Sequence, residues 1–293
     1  MLLLIILTFF IIQKFLRKID FPLFIDKFIN IVLYKLILKK LNPYFTLALN
    51  SKYKYKQPCK NLSKVIWIFW WQGEKNMPKI VKACIDSIIR NSLNHKVIII
   101  TKYNIRNYTD ISDVIFSKLN EGKITYTHFS DIVRFNLLYN HGGLWIDSTV
   151  YCSKKMSPQY FSNFYTSYGD YNFKWTSFLI GGNNDNELFR FMNEFFKIYW
   201  KKNNKIIIYF MMDYALKYAY DMNIGDFKNY VDHESYKNNP NMFKLCDYMN
   251  SSYDKTIYYN LIKDTGMFKL TYKHKFKYDG DTFYYRLIND KLG

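Results

Sequence analysis

Two short, largely apolar runs, VIWIFW at 65–70 and KVIIIT at 96–101, bracket a stretch in which Val81, Cys84, Ile85, Ile88 and Ile89 recur at helical spacing behind Pro78. Runs without polar alternation suit strands buried on both faces, and proline belongs at the first turn of a helix. Strand, helix and strand joined by short loops make a βαβ unit, which requires a parallel sheet, a right-handed crossover and an α/β layer fold. Ligands of such sheets bind outside the carboxyl ends of the strands. Residues 69–73 are therefore predicted to line a pocket, with Trp70 or Trp71 either stacking on a flat base or simply filling the core.

The stretch TYTHFSDIVRFNLLYNHGGLWIDSTVY at 125–151 reads as a helix ended by a double glycine and followed by a strand. Phe129, Ile132, Val133, Phe135, Leu137, Leu138 and Tyr139 surround this helix, so it must be largely buried, yet Asp131 and Arg134 lie on one of its faces. Two charges taken out of water together need each other or a polar ligand. They form either a structural ion pair or a pocket for a hydroxyl-rich molecule. Residues 144–146 then deliver Asp147, Ser148 and Thr149 to the same carboxyl edge as the tryptophan loop. A carboxylate there can hold Mg²⁺ or Mn²⁺, which in turn neutralises a diphosphate.

The 293 residues, 49% hydrophobic and 23% charged, are globular usage for one or two domains. Four scattered cysteines (59, 84, 152 and 246) and five scattered histidines offer neither a disulfide framework nor a zinc site. The formal charge of +18 is mostly lysine, with only six arginines, whereas phosphate and base readout favour arginine. It is also concentrated at the start, where residues 1–56 carry ten cations against Asp20 and Asp26. Residues 1–12 are apolar apart from Thr8, shorter than the roughly 20 residues of a spanning helix and without a cleavage site. They are read as an uncleaved anchor or an interfacial helix on an anionic membrane, with the following cations placing the body on the cytoplasmic side. Residues 21–49 repeat the apolar-and-lysine theme and either lie on that membrane or cover the core. A polar stretch at 50–64 reads as a linker, which divides the chain into an N-terminal helical segment (1–57) and a main domain (58–293).

The run SDIVRFNLLYNHGGLWIDSTV (130–150) resembles the SDxxR…GGxYxDxD block of glycosyltransferases with a DXD sugar-binding motif. The run VIWIFWWQGEKNMPKIVKACIDSI (65–88) is similar to the W-x-F-W-W-Q-G-x-x-x-M-P pattern of the bacterial capsular polysaccharide synthesis protein family. The resemblance spans roughly residues 60–290. It implies a GT-A fold, a Rossmann-like α/β glycosyltransferase domain that moves a sugar from a nucleotide-diphosphate donor with retention and with Mn²⁺ or Mg²⁺. It places Trp70 and Gln72 at the nucleotide, Asp131 and Arg134 at the sugar hydroxyls, and Asp147 at ribose and metal; Gly73 and Gly143 are further donor-binding candidates. Thr149 stands where DXD has its second aspartate, and a hydroxyl is a weaker metal ligand than a carboxylate.

Two further sites follow from the residues. Lys273 or His274, in FKLTYKHK (268–275), can supply positive charge to the diphosphate or be solvated surface charge. Asp213, amid Phe210, Met211, Met212 and Tyr214, suits acid/base work or contact with an acceptor hydroxyl, or is a surface aspartate beside a buried stripe. The expected protein is a membrane-associated transferase at the cytoplasmic face, adding a sugar to a surface polysaccharide on a lipid-linked acceptor. A catalytically inactive assembly partner is the first rival, resting on Thr149. A single-stranded nucleic-acid binder is the second, resting on charge and 20% aromatics. Dispersed lysines and the buried Asp131, Arg134 and Asp147 argue against the latter, so no nucleic-acid partner is expected.

Overall fold

A computed structural model describes residues 23–51, 65–169, 173–235 and 238–292, together with Thr8 and Ile11. The first described element is a long helix, α1 (Leu23–Leu49). The predicted βαβ unit follows as β1 (Val65–Phe69), α2 (Lys79–Asn91) and β2 (Lys96–Ile100), with Pro78 capping α2. Next come α3 (Asp113–Asn120), α4 (Tyr126–His141), β3 (Gly143–Ile146), β4 (Val150–Cys152), β5 (Phe164–Thr166) and β6 (Leu179–Gly182). Then follow α5 (Glu187–Lys202), α6 (Met211–Asp221), α7 (Phe227–His233), α8 (Lys244–Asp247), α9 (Lys255–Lys263), β7 (Met267–Lys269) and α10 (Phe283–Ile288).

The central sheet runs β2-β1-β3-β6-β5, and β4 pairs with β7 in a separate two-stranded sheet. β1 is parallel to both β2 and β3, as the sequence predicts, whereas β6 is antiparallel to β3 and to β5, so the sheet is mixed. Alternate residues feed two cores. Ile66, Ile68, Leu144 and Ile146 face α2 and the C-terminal elements, while Trp67, Phe69 and Trp145 face α4, α5 and α6. The result is a layered α/β domain with helices on both faces of the sheet.

The double glycine works by close approach. Gly142 ends α4 with φ of +67°, and a Cβ there would stand 2.8 Å from the Gly182 carbonyl oxygen. A Cβ on Gly181 would stand 2.5 Å from the Gly143 carbonyl oxygen. Only glycines let β6 lie against the start of β3.

α1 settles the two placements open for residues 21–49 in favour of core cover. Ile29, Leu33, Ile37, Leu41, Phe45 and Ala48 form one buried stripe, and Phe45 meets Phe195 of α5 and Tyr218 of α6 at ring-centroid distances of 4.9 and 4.4 Å. Buried Arg190 of α5 donates to the Ala48 carbonyl at 3.1 Å, so a cation closes the negative end of the helix. Phe28, Ile31 and Leu47 stay exposed on the outer side. Among the described residues no helix is long and apolar enough to cross a membrane. The apolar run at 1–12, apart from Thr8 and Ile11, lies outside the described residues, as do the boundary near 58 and the linker beyond Ser51.

Candidate functional site

A cavity of about 570 Å³ opens where β1 and β3 end, inside the usual size range of small-ligand pockets. Phe69 to Gln72 line it from the β1 end, Asp147 to Thr149 from the β3 end, and Tyr126, Thr127 and Ser130 from the first turns of α4. Lys269 to Lys273 close one side, with Phe243 and Cys246, and Tyr209 stands on another. The Trp70 ring meets Tyr272 edge to face at 5.5 Å, and Trp71 meets Phe129 at 5.3 Å, also edge to face.

Beneath the cavity lies a chain of alternating charges. Arg134, 3% exposed, points one guanidinium nitrogen at Asp131 (3.4 Å) and the other at Asp147 (3.1 Å). Its guanidinium also sits 4.9 Å from the centroid of Trp145, a residue of β3. The helical i,i+3 spacing fixes the first contact and the α4–β3 turn makes the second. Asp147 Oδ1 also accepts from the Trp145 indole at 2.8 Å, and Oδ2 accepts from the Lys269 ammonium at 2.7 Å.

The two carboxyls part company in acidity. Burial lifts Asp131 to about 7; Arg134 pulls the other way, and the nearby charges of Asp213 and Asp147 reinforce the rise. For Asp147 burial also acts upward, but it is overcome by Lys269, Arg134 and the hydrogen bonds from Lys269 and Trp145, leaving the carboxyl held down at about 2. Asp147 keeps 26% exposure toward the cavity against 10% for Asp131, which fits the smaller net cost of its charge.

Of the residues singled out in the sequence, Trp70, Gln72, Asp147, Thr149 and Lys273 line the cavity. Asp131 and Arg134 are buried and absent from the lining, and connect to it only through Asp147. Asp213 sits half-buried in the first turn of α6, near enough to Asp131 to raise its pKa, with neighbouring Met212 touching Arg134. Gly73, with φ of +89°, turns the chain after β1 and hydrogen-bonds back to the Trp70 carbonyl rather than lining the cavity. Gly143 is at the start of β3, the strand end away from the cavity. His274 is exposed against Phe276, outside the lining.

Sequence reasoning missed Lys269 and Trp145. The signal for Lys269 was its place between Phe268 and Leu270, both buried. Strand alternation turns the middle residue to the opposite face, which here carries Asp147.

The expectation of Mn²⁺ or Mg²⁺ at Asp147 and Thr149 meets a donor set already filled by the protein. Three N–H donors, two of them cationic, occupy the two Asp147 oxygens, and the remaining expected ligand is a threonine hydroxyl. Among the described residues no group of three or more His, Cys, Asp or Glu is placed to hold a metal ion. This arrangement does not fit a resident divalent cation.

A layered α/β domain with an aromatic-walled, charged cavity at the carboxyl edge of its sheet is a ligand-binding or catalytic architecture. The chain belongs to the capsular polysaccharide synthesis protein family, whose sequence pattern matches residues 22–287, most of its length. Membership assigns it a role in capsular polysaccharide synthesis and, in general terms, a saccharide substrate. No curated protein and no solved structure matches it.

Proposed function

We propose that this protein is a glycosyltransferase of the GT-A type that moves a sugar from a nucleotide-diphosphate donor to a growing capsular polysaccharide. The observation that carries the reading is the buried Asp131–Arg134–Asp147 chain under a cavity whose rim is tryptophan and lysine. A nucleotide-sugar presents a flat base, a diphosphate and a ring of hydroxyls, and the cavity offers one group for each. Trp70 supplies a stacking face near Gln72, Lys269 and Lys273 supply positive charge, and the Asp131–Arg134 pair, buried behind Asp147 rather than in the lining, is assigned to the hydroxyls.

The reaction is substitution at the anomeric carbon. An acceptor hydroxyl oxygen bonds to that carbon, and the carbon–oxygen bond to the β-phosphate breaks with its electron pair going to the nucleoside diphosphate. The acceptor proton passes to the departing phosphate oxygen, which suits front-side attack with retention. The protein's part is orientation and stabilisation of the charge that grows on the leaving group. Asp131, lifted by burial to about 7, is shared between its neutral and ionised forms near neutral pH and can donate to a sugar hydroxyl as well as accept from one. Asp213, behind Asp131, is assigned to the acceptor side.

The basic, apolar start of the chain favours work at the cytoplasmic face of a membrane, on a lipid-linked acceptor. The test is calorimetric titration of the full chain with UDP, GDP, CMP and their sugars, followed by assay of hydrolysis or transfer. One nucleotide should bind, and its sugar should be released or transferred. A folded protein that binds none of them overturns the assignment, and one that binds a donor without ever turning it over is the inactive assembly partner.

A further inference from the structure

We propose that Lys269 is the cation that stabilises the departing diphosphate, in the place a divalent metal would take beside Asp147, so that this protein binds and uses its donor without a metal. The inference rests on the transferase reading above and says how that site handles its leaving group.

The position of Lys269 is built by the fold. β7 pairs antiparallel with β4, Lys269 standing opposite Val150, and the Leu270 amide donates to the Thr149 carbonyl at 2.8 Å. The segment just after Asp147 is thereby tied to the segment that carries the lysine. Phe268 and Leu270 on either side are buried, and the Lys269 side chain between them lines the cavity and reaches Asp147. Its ammonium lies 4.5 Å from the centroid of the Phe178 ring and 2.7 Å from Asp147 Oδ2, with 23% of the side chain exposed. An ammonium has three donors, and the one spent on Asp147 leaves others for phosphate oxygens in the cavity. Lys273, four residues on, lines the same cavity wall.

Charge bookkeeping favours the same conclusion. Asp147 already faces Arg134 on one oxygen and Lys269 on the other, and a dication entering there would meet two fixed positive charges at close range. Its recruits would be one shared carboxylate and the Thr149 hydroxyl, a poor set for a hard ion. A phosphate, by contrast, gains from both lysines and disturbs neither bond of Asp147. The carboxylate then acts as the anchor that holds Lys269 and Arg134 apart and oriented, one on each of its oxygens.

The experiment titrates the full chain with nucleoside diphosphates (UDP, GDP and ADP), once in EDTA and once in Mn²⁺, and repeats both with Lys269→Gln and Lys269→Arg. The diphosphate that binds should do so with affinities within about threefold in the two buffers, less than 1 kcal/mol apart. Lys269→Gln should weaken it by roughly 10- to 100-fold in either buffer, the scale of one charged hydrogen-bonding contact, with Mn²⁺ giving no rescue. Lys269→Arg should retain most of the affinity. Loss of binding in EDTA with recovery in Mn²⁺ overturns the proposal and leaves the transferase reading standing. Undiminished binding by a folded Lys269→Gln protein also overturns it. If that variant does not fold, the EDTA comparison on the unaltered chain decides alone. Absence of binding to every diphosphate in both buffers removes the transferase reading itself and this inference with it.

Discussion

Asparagine in place of Asp131 should make the protein increasingly resistant to unfolding, relative to the parent, as pH rises. The Asp131 carboxyl titrates at about 7 in the folded protein against 3.8 for a free side chain, burial being the main cause. Between those values the folded chain keeps a proton that the unfolded chain has already released. Stability from this group is therefore complete below about pH 4, falls as pH rises, and is fully lost once pH passes 7. Each pH unit within the window costs about 1.4 kcal/mol, so a move from pH 5 to pH 8.5 removes roughly 3 kcal/mol. Asparagine fills nearly the same volume and cannot ionise, so the variant lacks this slope. Asp147, held down at about 2, does not titrate in the window. His128, whose pKa burial lowers, titrates in both proteins and cancels in the comparison. The assay is urea denaturation of parent and variant at the two pH values. The difference in unfolding free energy should move by about 3 kcal/mol in the variant's favour, with little change in m. A difference that stays constant, or that moves toward the parent, refutes the account of Asp131 as a buried, protonated carboxyl.

Asp147→Asn should lower donor turnover by about 10²- to 10³-fold with the fold retained, because a neutral amide cannot anchor both Arg134 and Lys269; steady-state kinetics near the parental rate would sink the central role given to this carboxylate. Phe45→Ala should cost about 3–5 kcal/mol of stability, since the fully buried ring ties α1 to α5 and α6. Urea denaturation showing under 1 kcal/mol would mean that α1 is not part of the core. The full chain should sediment with anionic vesicles and lose that association when residues 1–22 are removed. That deletion spares α1, and persistent sedimentation would contradict an anchor in the N-terminal run.

The layers of this fold were legible because they are written in local pattern. VIWIFW and KVIIIT have no polar alternation, and both are strands of the central sheet, paired residue for residue with β1 parallel to β2. The double glycine after a buried helix led correctly to a turn into β3, and the reason is now visible in the approach of Gly142 and Gly143 to β6. Strand direction was less legible. That β6 runs antiparallel to β3 depends on the course of the chain between them, which no periodicity records. The choice between membrane and core for residues 21–49 was equally hidden, because α1 is apolar on more than one side. The stripe that packs is selected by the shapes of α5 and α6, more than 140 residues later.

The same division runs through the site. Asp131, Arg134 and Asp147 lie within 17 residues of one another, so helical spacing and one turn are enough to bring them together. Lys269 lies 122 residues from Asp147, and only the β4–β7 pairing joins them. Among the cations of 268–275, Lys273 lines the cavity and His274 lies outside the lining, while the lysine between two buried neighbours reaches the carboxylate. A lysine is ordinarily a surface residue, and in a chain of net charge +18 one more carries little information. What singles it out is a conflict of environments, an ammonium on a short strand whose flanking side chains are both core. A polar group forced inward by strand alternation must find a partner of opposite charge, and the carboxylate at the end of β3 is that partner. The residue that completes the charge network around Asp147 is therefore the one whose place depends on tertiary pairing alone.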